Sequence, residues 1–269
     1  MKNLTTFLLL GVFSVFGSST LLADDPISII SIGDSITGGF HGTPSGTYRE
    51  TVQDRLNLEG YNFDFVGEYR AGNAGYDRDH QGSSGASIQR ITNTIAPVLQ
   101  NNQPDYALVL AGTNNHFAAP DLDAFVDLYT ELAETINENS PDVSIIFSTV
   151  PKFGYDFPAR NYWTDAFVDQ RNSVTFPNIN AAIELVASRY DNVTTVDFFS
   201  EIDIETDLAA DRIHPNLFGQ QKLGDLFADE LIGQLSATAV PEPSNGILLI
   251  AASLGWIVLQ TRRRKPVCC

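Results

Sequence analysis

The chain has 269 residues, 43% hydrophobic, 10% aromatic and 18% charged, which is apolar enough to bury a sizeable core and excludes disordered or collagen-like chains. Its 33 acidic residues outnumber 16 basic ones, for a formal charge of −17 and a pI near 4.4. Such a surface repels phosphate backbones and anionic membranes, so no nucleic-acid partner is expected. The two cysteines, Cys268 and Cys269, close the chain, so its body carries no disulfide.

Both ends read as processing segments. Residues 1–23 begin with Lys2, run through an apolar stretch at 7–16 and reach Gly17, Ser18 and Ser19 ahead of Asp24 and Asp25, which reads as a secretory signal peptide. Near the other end, Val240-Pro241-Glu242-Pro243-Ser244 precedes an apolar run at 246–259 and then Arg262, Arg263, Arg264 and Lys265. As a helix that run reaches about 21 Å, short of a hydrocarbon core of about 30 Å, and a basic cluster after it is retained on the cytoplasmic side. Residues 240–265 resemble the bacterial PEP-CTERM sorting signal; the alternative is a plain tail anchor. The resemblance implies processing by an exosortase-type enzyme, transient contact with the bacterial membrane through 240–269, and a cell-surface or extracellular-matrix location. Residues 24–239 then form one domain.

Within it, apolar runs bounded by turn residues predict strands at 27–33, 61–67, 105–112, 143–150 and 193–197. Tyr48, Val52 and Leu56 mark a helical face after the first strand, and Ile88, Ile91, Ile95, Val98 and Leu99 mark another after the second. Leu122, Phe125, Val126, Tyr129, Leu132, Ala133 and Ile136 give the strongest helical stripe, followed by Ile179, Ile183, Val186, Ala187 and Tyr190 and a last helix at 215–235. Strands alternating with helices predict an α/β fold with a mainly parallel sheet of about five strands. Ligands of such sheets bind beyond the carboxyl ends of the strands, which is where chemistry is to be sought.

Four segments there can carry it. Gly33-Asp34-Ser35-Ile36-Thr37 puts a serine at a strand-to-helix junction, and Asp211-Arg212-Ile213-His214-Pro215 sets a carboxylate three residues from an imidazole. A carboxylate so placed can fix the imidazole tautomer while the other ring nitrogen removes a serine proton. Gly112-Thr113-Asn114-Asn115 offers a side-chain amide, and His80-Gln81-Gly82-Ser83-Ser84-Gly85-Ala86 a close backbone amide, as donors to a developing oxyanion. Each segment taken singly reads equally as a glycine turn, a helix cap or a surface ion pair.

Together and in order, the four segments resemble the SGNH or GDSL hydrolase superfamily across 31–231. The resemblance implies a flavodoxin-like three-layer α/β/α sandwich and gives catalytic roles to Ser35 as nucleophile, His214 as base and Asp211 as its partner. Its oxyanion hole is made by the amides of Ser35 and Gly85 and the side chain of Asn114, and it needs no cofactor or metal. Asp34 is assigned a supporting hydrogen-bonding role. Tyr48-Arg49, Phe65-Val66-Gly67, the segment 79–85 and His214-Pro215-Asn216 with Gly219 are similar to the acetyl xylan esterases of carbohydrate esterase family three. That likeness implies a secreted serine esterase acting on short acyl, chiefly acetyl, esters of carbohydrate. Alternatives are a lipase or arylesterase on other small esters, and a non-catalytic exopolysaccharide-associated surface protein. Three departures stand out: Asn115 replaces a common aspartate, no aromatic follows Gly85, and Arg212 replaces a usual glycine, from where it could draw Asp211 off the histidine.

His41, His80 and His116 lie near these segments but match no zinc-ligand spacing, so no metal is expected. Phe153, Tyr155, Phe157, Tyr162 and Trp163 follow the fourth strand, and either stack on sugar faces or simply cover a long loop.

Overall fold

The computed structural model describes residues 25–39, 47–115, 121–155 and 164–238. Its strands are β1 (Ile27–Gly33), β2 (Phe63–Val66), β3 (Tyr69–Arg70), β4 (Asp79–Gly82), β5 (Tyr106–Leu110), β6 (Ser144–Ser148) and β7 (Val193–Val196). The helices are α1 (Ser35–Gly38), α2 (Tyr48–Glu59), α3 (Ile88–Asn102), α4 (Leu122–Asn139), α5 (Asp165–Gln170), α6 (Phe176–Ala187), α7 (Phe198–Glu201) and α8 (Leu217–Thr238). The sheet runs β3-β4-β1-β5-β6-β7, with β2 beside the first half of β1 and β4 beside its end. All pairings are parallel except that of β3 with β4.

The five expected strands are present, and the sheet has seven rather than about five. The addition comes from β3 and β4. Asp79-His80-Gln81-Gly82 has no apolar alternation, yet Gln81 and Gly82 pair with Ile32 and Gly33 through the backbone, and its last three residues are buried.

Alternation along the central strands divides the core into two layers. Ile30, Ile32, Ala107 and Val109 face α3, α4 and α6, while Ile29, Leu108 and Leu110 face α2 and α8. This is an α/β/α sandwich, and each large apolar side chain it buries contributes roughly 1.5–3 kcal/mol. The stripe expected at 122–136 is the buried face of α4, whose Asp121 caps the helix by accepting from the Asp123 amide. Residues 215–235 were expected to form the last helix; α8 begins two residues later, after Pro215 bridges Leu208.

The order β2-β1-β5-β6-β7 places a switch point between β1 and β5. The chain leaves β1 for α2 on one face and leaves β5 for α4 on the other, so a crevice opens at their carboxyl ends.

Candidate active site

β1 ends in a crowded turn. A Cβ on Gly33 would lie 2.3 Å from Thr37 Oγ1 and 2.4 Å from the Leu110 carbonyl, so only glycine fits there. Asp34 caps α1 by accepting the Ile36 amide at 2.9 Å on Oδ1. Ser35 is the first residue of that helix, where an amide has no intrahelical acceptor.

Far along the chain, the segment after α7 brings a histidine to this serine. His214 Nε2 lies 2.8 Å from Ser35 Oγ, a contact between residues 179 apart in sequence. On the other side of the ring, Nδ1 is 2.6 Å from Asp211 Oδ2. Asp211 is held in turn, since Oδ1 accepts the amides of Ile213 at 3.1 Å and His214 at 3.0 Å. Partial burial works against ionisation of Asp211, but the hydrogen bonds from the His214 ring and backbone outweigh it and keep its carboxyl below the ordinary value. An ionised Asp211 requires the proton on Nδ1, which turns the Nε2 lone pair toward the Ser35 hydroxyl.

Asn114 joins two further parts. It sits in the single 3₁₀ turn Thr113–Asn115 after β5, and its Nδ2 donates to Asp34 Oδ2 at 3.2 Å and to the Ala86 carbonyl at 3.0 Å. One amide thus stitches the turn bearing Ser35 to the loop bearing Gly85. Gly85 has φ +72°, a left-handed conformation that favours glycine, and open space on its Cβ side. Asn115 accepts the Ile88 amide at the start of α3 and donates to Gln89, so the residue found in place of an aspartate serves as a helix anchor. Asp34 is wholly buried, and desolvation, offset in part by the Ile36 amide, pushes its carboxyl up to about 6.

Arg212 does not draw Asp211 away. Its φ of +60° directs the side chain to the Tyr155 carbonyl, which Nε reaches at 2.8 Å, and to Glu205 at 3.1 Å. Phe153 is not a ligand-facing ring: it is fully buried and stacks edge-on against Phe176 at 4.8 Å, so it belongs to the core. Tyr155 is half-buried with its hydroxyl on Asp169. Phe157, Tyr162, Trp163, His41 and His116 fall outside the described residues, as do the terminal segments. His80 is buried, accepts the Gly82 amide on Nδ1, and is pushed down to about 3 by burial and the nearby Arg49 charge, so it stays neutral. Among the described residues no cluster of three His, Cys, Asp or Glu is placed to hold a metal.

Arg49 entered the sequence analysis only as half of the Tyr48-Arg49 pair. Its guanidinium, almost wholly buried, donates to the carbonyls of Thr37 and Ala71 and, at longer range, to those of Arg78 and Asp79, tying α1 to the β3–β4 edge beside the site. Backbone acceptors leave no mark in a sequence, so the pair pointed to Arg49 but not to these partners.

Fold and site together define an SGNH-type hydrolase, and the chain belongs to the GDSL-like lipase/acylhydrolase family, whose model matches residues 31–222. The chain is similar to a multidomain esterase of Ruminococcus flavefaciens, 30% identical over 242 residues, which cover 80% of this chain and 30% of that protein. Among solved structures it resembles a Clostridium thermocellum family 3 carbohydrate esterase at 27% identity and TM-score 0.64, covering 80% of this chain and all of that one. A family 3 carbohydrate esterase from Talaromyces cellulolyticus shares the fold at 24% identity and TM-score 0.63, over 78% of this chain and 99% of that one.

Proposed function

We propose that the chain is an exported serine esterase that removes short acyl groups, above all acetyl, from carbohydrate. The observation that carries this reading is the hydrogen-bonded line from Ser35 Oγ through His214 to Asp211 at the switch point of the sheet. The likeness to a family 3 carbohydrate esterase supports the substrate class.

In the first half-reaction Ser35 Oγ attacks the ester carbonyl carbon and its proton passes to His214 Nε2. The negative oxygen is held by the amides of Ser35 and Gly85 and by Asn114 Nδ2, which gives up its longer contact to Asp34 while keeping that to Ala86. Collapse of the intermediate breaks the bond to the sugar oxygen, which leaves with the proton from Nε2. Water then attacks the acyl-serine with His214 again as base, releasing the acid and restoring Ser35. Asp211 stabilises the imidazolium in both halves.

Turnover should be fastest on p-nitrophenyl acetate, fall across a series of lengthening acyl chains, extend to acetylated xylan, and vanish in Ser35→Ala. A rate that rises with chain length would replace the acetyl carbohydrate reading by that of a lipase. No short-ester turnover at all would remove the serine mechanism. Export is proposed with it, from residues 1–23 and 240–265. Fractionation of the native host should find the protein outside the cytoplasm without those residues, and full-length protein in the cytosol would contradict this.

A further inference from the structure

We infer that Arg212 is a positioning residue: it fastens the turn bearing Asp211 and His214 to the strap 153–155 that follows β6, and so keeps the imidazole in line with Ser35. This inference rests on the serine-esterase reading above.

Arg212 is one of two non-glycine residues with positive φ among the described residues, at +60°. A left-handed backbone strains a side-chain-bearing residue in a way that glycine would avoid. Strain of this kind persists only where the surroundings impose it. Here the side chain supplies what glycine cannot. Nε donates to the Tyr155 carbonyl at 2.8 Å, and Nη2 reaches Glu205 at 3.1 Å. The Glu205 carboxylate is mostly exposed and contributes little, whereas the Arg212 side chain is largely covered. The link to the strap is therefore the one that matters.

The backbones of turn and strap also meet. The Gly154 amide donates to the Arg212 carbonyl at 2.8 Å. A Cβ on Gly154 would lie 2.8 Å from Arg212 Nε and 3.0 Å from Leu208 Cδ1, so the bare glycine lets the Arg212 side chain lie close against the strap. The strap's other side is fixed. Asn172 accepts the Phe153 amide at 2.9 Å and donates to the Phe153 carbonyl at 2.8 Å, from the π-helical turn Arg171–Thr175. Phe153 itself is sunk in the core. The turn has local bonds, Arg212 N to the Ala209 carbonyl and Ala209 N to the His214 carbonyl, which shape it without anchoring it to the sheet. Arg212 passes the rigidity of the strap to Asp211 beside it and, across Ile213, to His214. A shift of about 1 Å between reacting groups costs on the order of 100-fold in rate, so even a partial loosening is measurable.

Arg212→Gly keeps the backbone conformation, removes its strain and deletes the tie. On p-nitrophenyl acetate, kcat should fall about tenfold or more with KM within about twofold of the parent and no loss of Tm. Millimolar guanidinium should restore part of that kcat in the variant and none in the parent. Arg212→Lys, which keeps a cation without the planar fork, should give an intermediate kcat and serves if the glycine variant does not fold. A kcat within twofold of the parent in either variant, a change in KM alone, or a fall in kcat that tracks a fall in Tm overturns the inference. Ser35→Ala separates the two levels. Ser35-dependent turnover with a normal Arg212→Gly rate sinks only the tie, whereas turnover independent of Ser35 sinks the serine mechanism and the tie with it.

Discussion

Replacing Asp211 by Asn tests the histidine's orientation without altering the size of any group. An Asn at 211 can still accept the Ile213 and His214 amides on its oxygen, as Oδ1 does now. Its NH2 group then stands where Oδ2 lies 2.6 Å from His214 Nδ1. Two donors cannot face each other, so the imidazole takes the other tautomer, with its proton on Nε2. That nitrogen is 2.8 Å from Ser35 Oγ and would donate to it instead of accepting its proton. In serine triads this inversion lowers kcat by about 10⁴-fold, or about 5.4 kcal/mol of barrier. The loss to the fold is smaller, a single charge-assisted hydrogen bond worth roughly 1.5–3 kcal/mol. The assay is kcat on p-nitrophenyl acetate beside a thermal melt of the same preparation. A loss of less than tenfold in a folded variant would refute the role given to Asp211.

Gly112→Ala should lower Tm by about 5–10 °C, because φ is +118° and the new Cβ would meet Tyr129 Oη at 2.6 Å and Val150 Cγ2 at 3.0 Å, a cost of about 3 kcal/mol. An unchanged melt would mean that β5 and α4 can separate freely. Asp34 should give stability a distinct pH dependence, since burial raises its carboxyl from 3.8 to about 6 and the folded state holds that proton more tightly than the unfolded chain. Its contribution is fully present below about pH 4 and lost as pH rises through 6, by about 3 kcal/mol in all. Asp34→Asn cannot titrate, so denaturant melts should show the difference between variant and parent moving in the variant's favour by up to that amount between pH 4 and pH 7. A difference that is flat with pH would contradict the burial of this carboxyl.

What the sequence disclosed and what it hid follow from where the stabilising contacts lie. β1 was legible at both ends because a run of isoleucines is bounded by Pro26 and Gly33, and α4 because its buried face repeats at helical spacing. β4 was not, because a strand of Asp, His, Gln and Gly owes its place to backbone pairing and the cover of its neighbours. The serine, histidine, aspartate and asparagine could be singled out by motif, but their approach across 179 residues depends on the order of strands, which no local pattern states. The place of Phe153 stayed open because an aromatic after a strand end looks the same in sequence whether it faces a crevice or, as here, Phe176. The direction of Arg212 was hidden for a related reason: its acceptor is the main-chain carbonyl of Tyr155, 57 residues away.

The claim on which the rest depends is that Ser35 is the reacting nucleophile. Labelling the native protein with a fluorophosphonate, digesting it and mapping the modified peptide by mass tests this most directly. The account predicts one adduct, on Ser35, that is lost in His214→Ala although the serine remains. An adduct on another residue, or none on a protein that still cleaves esters, would contradict it.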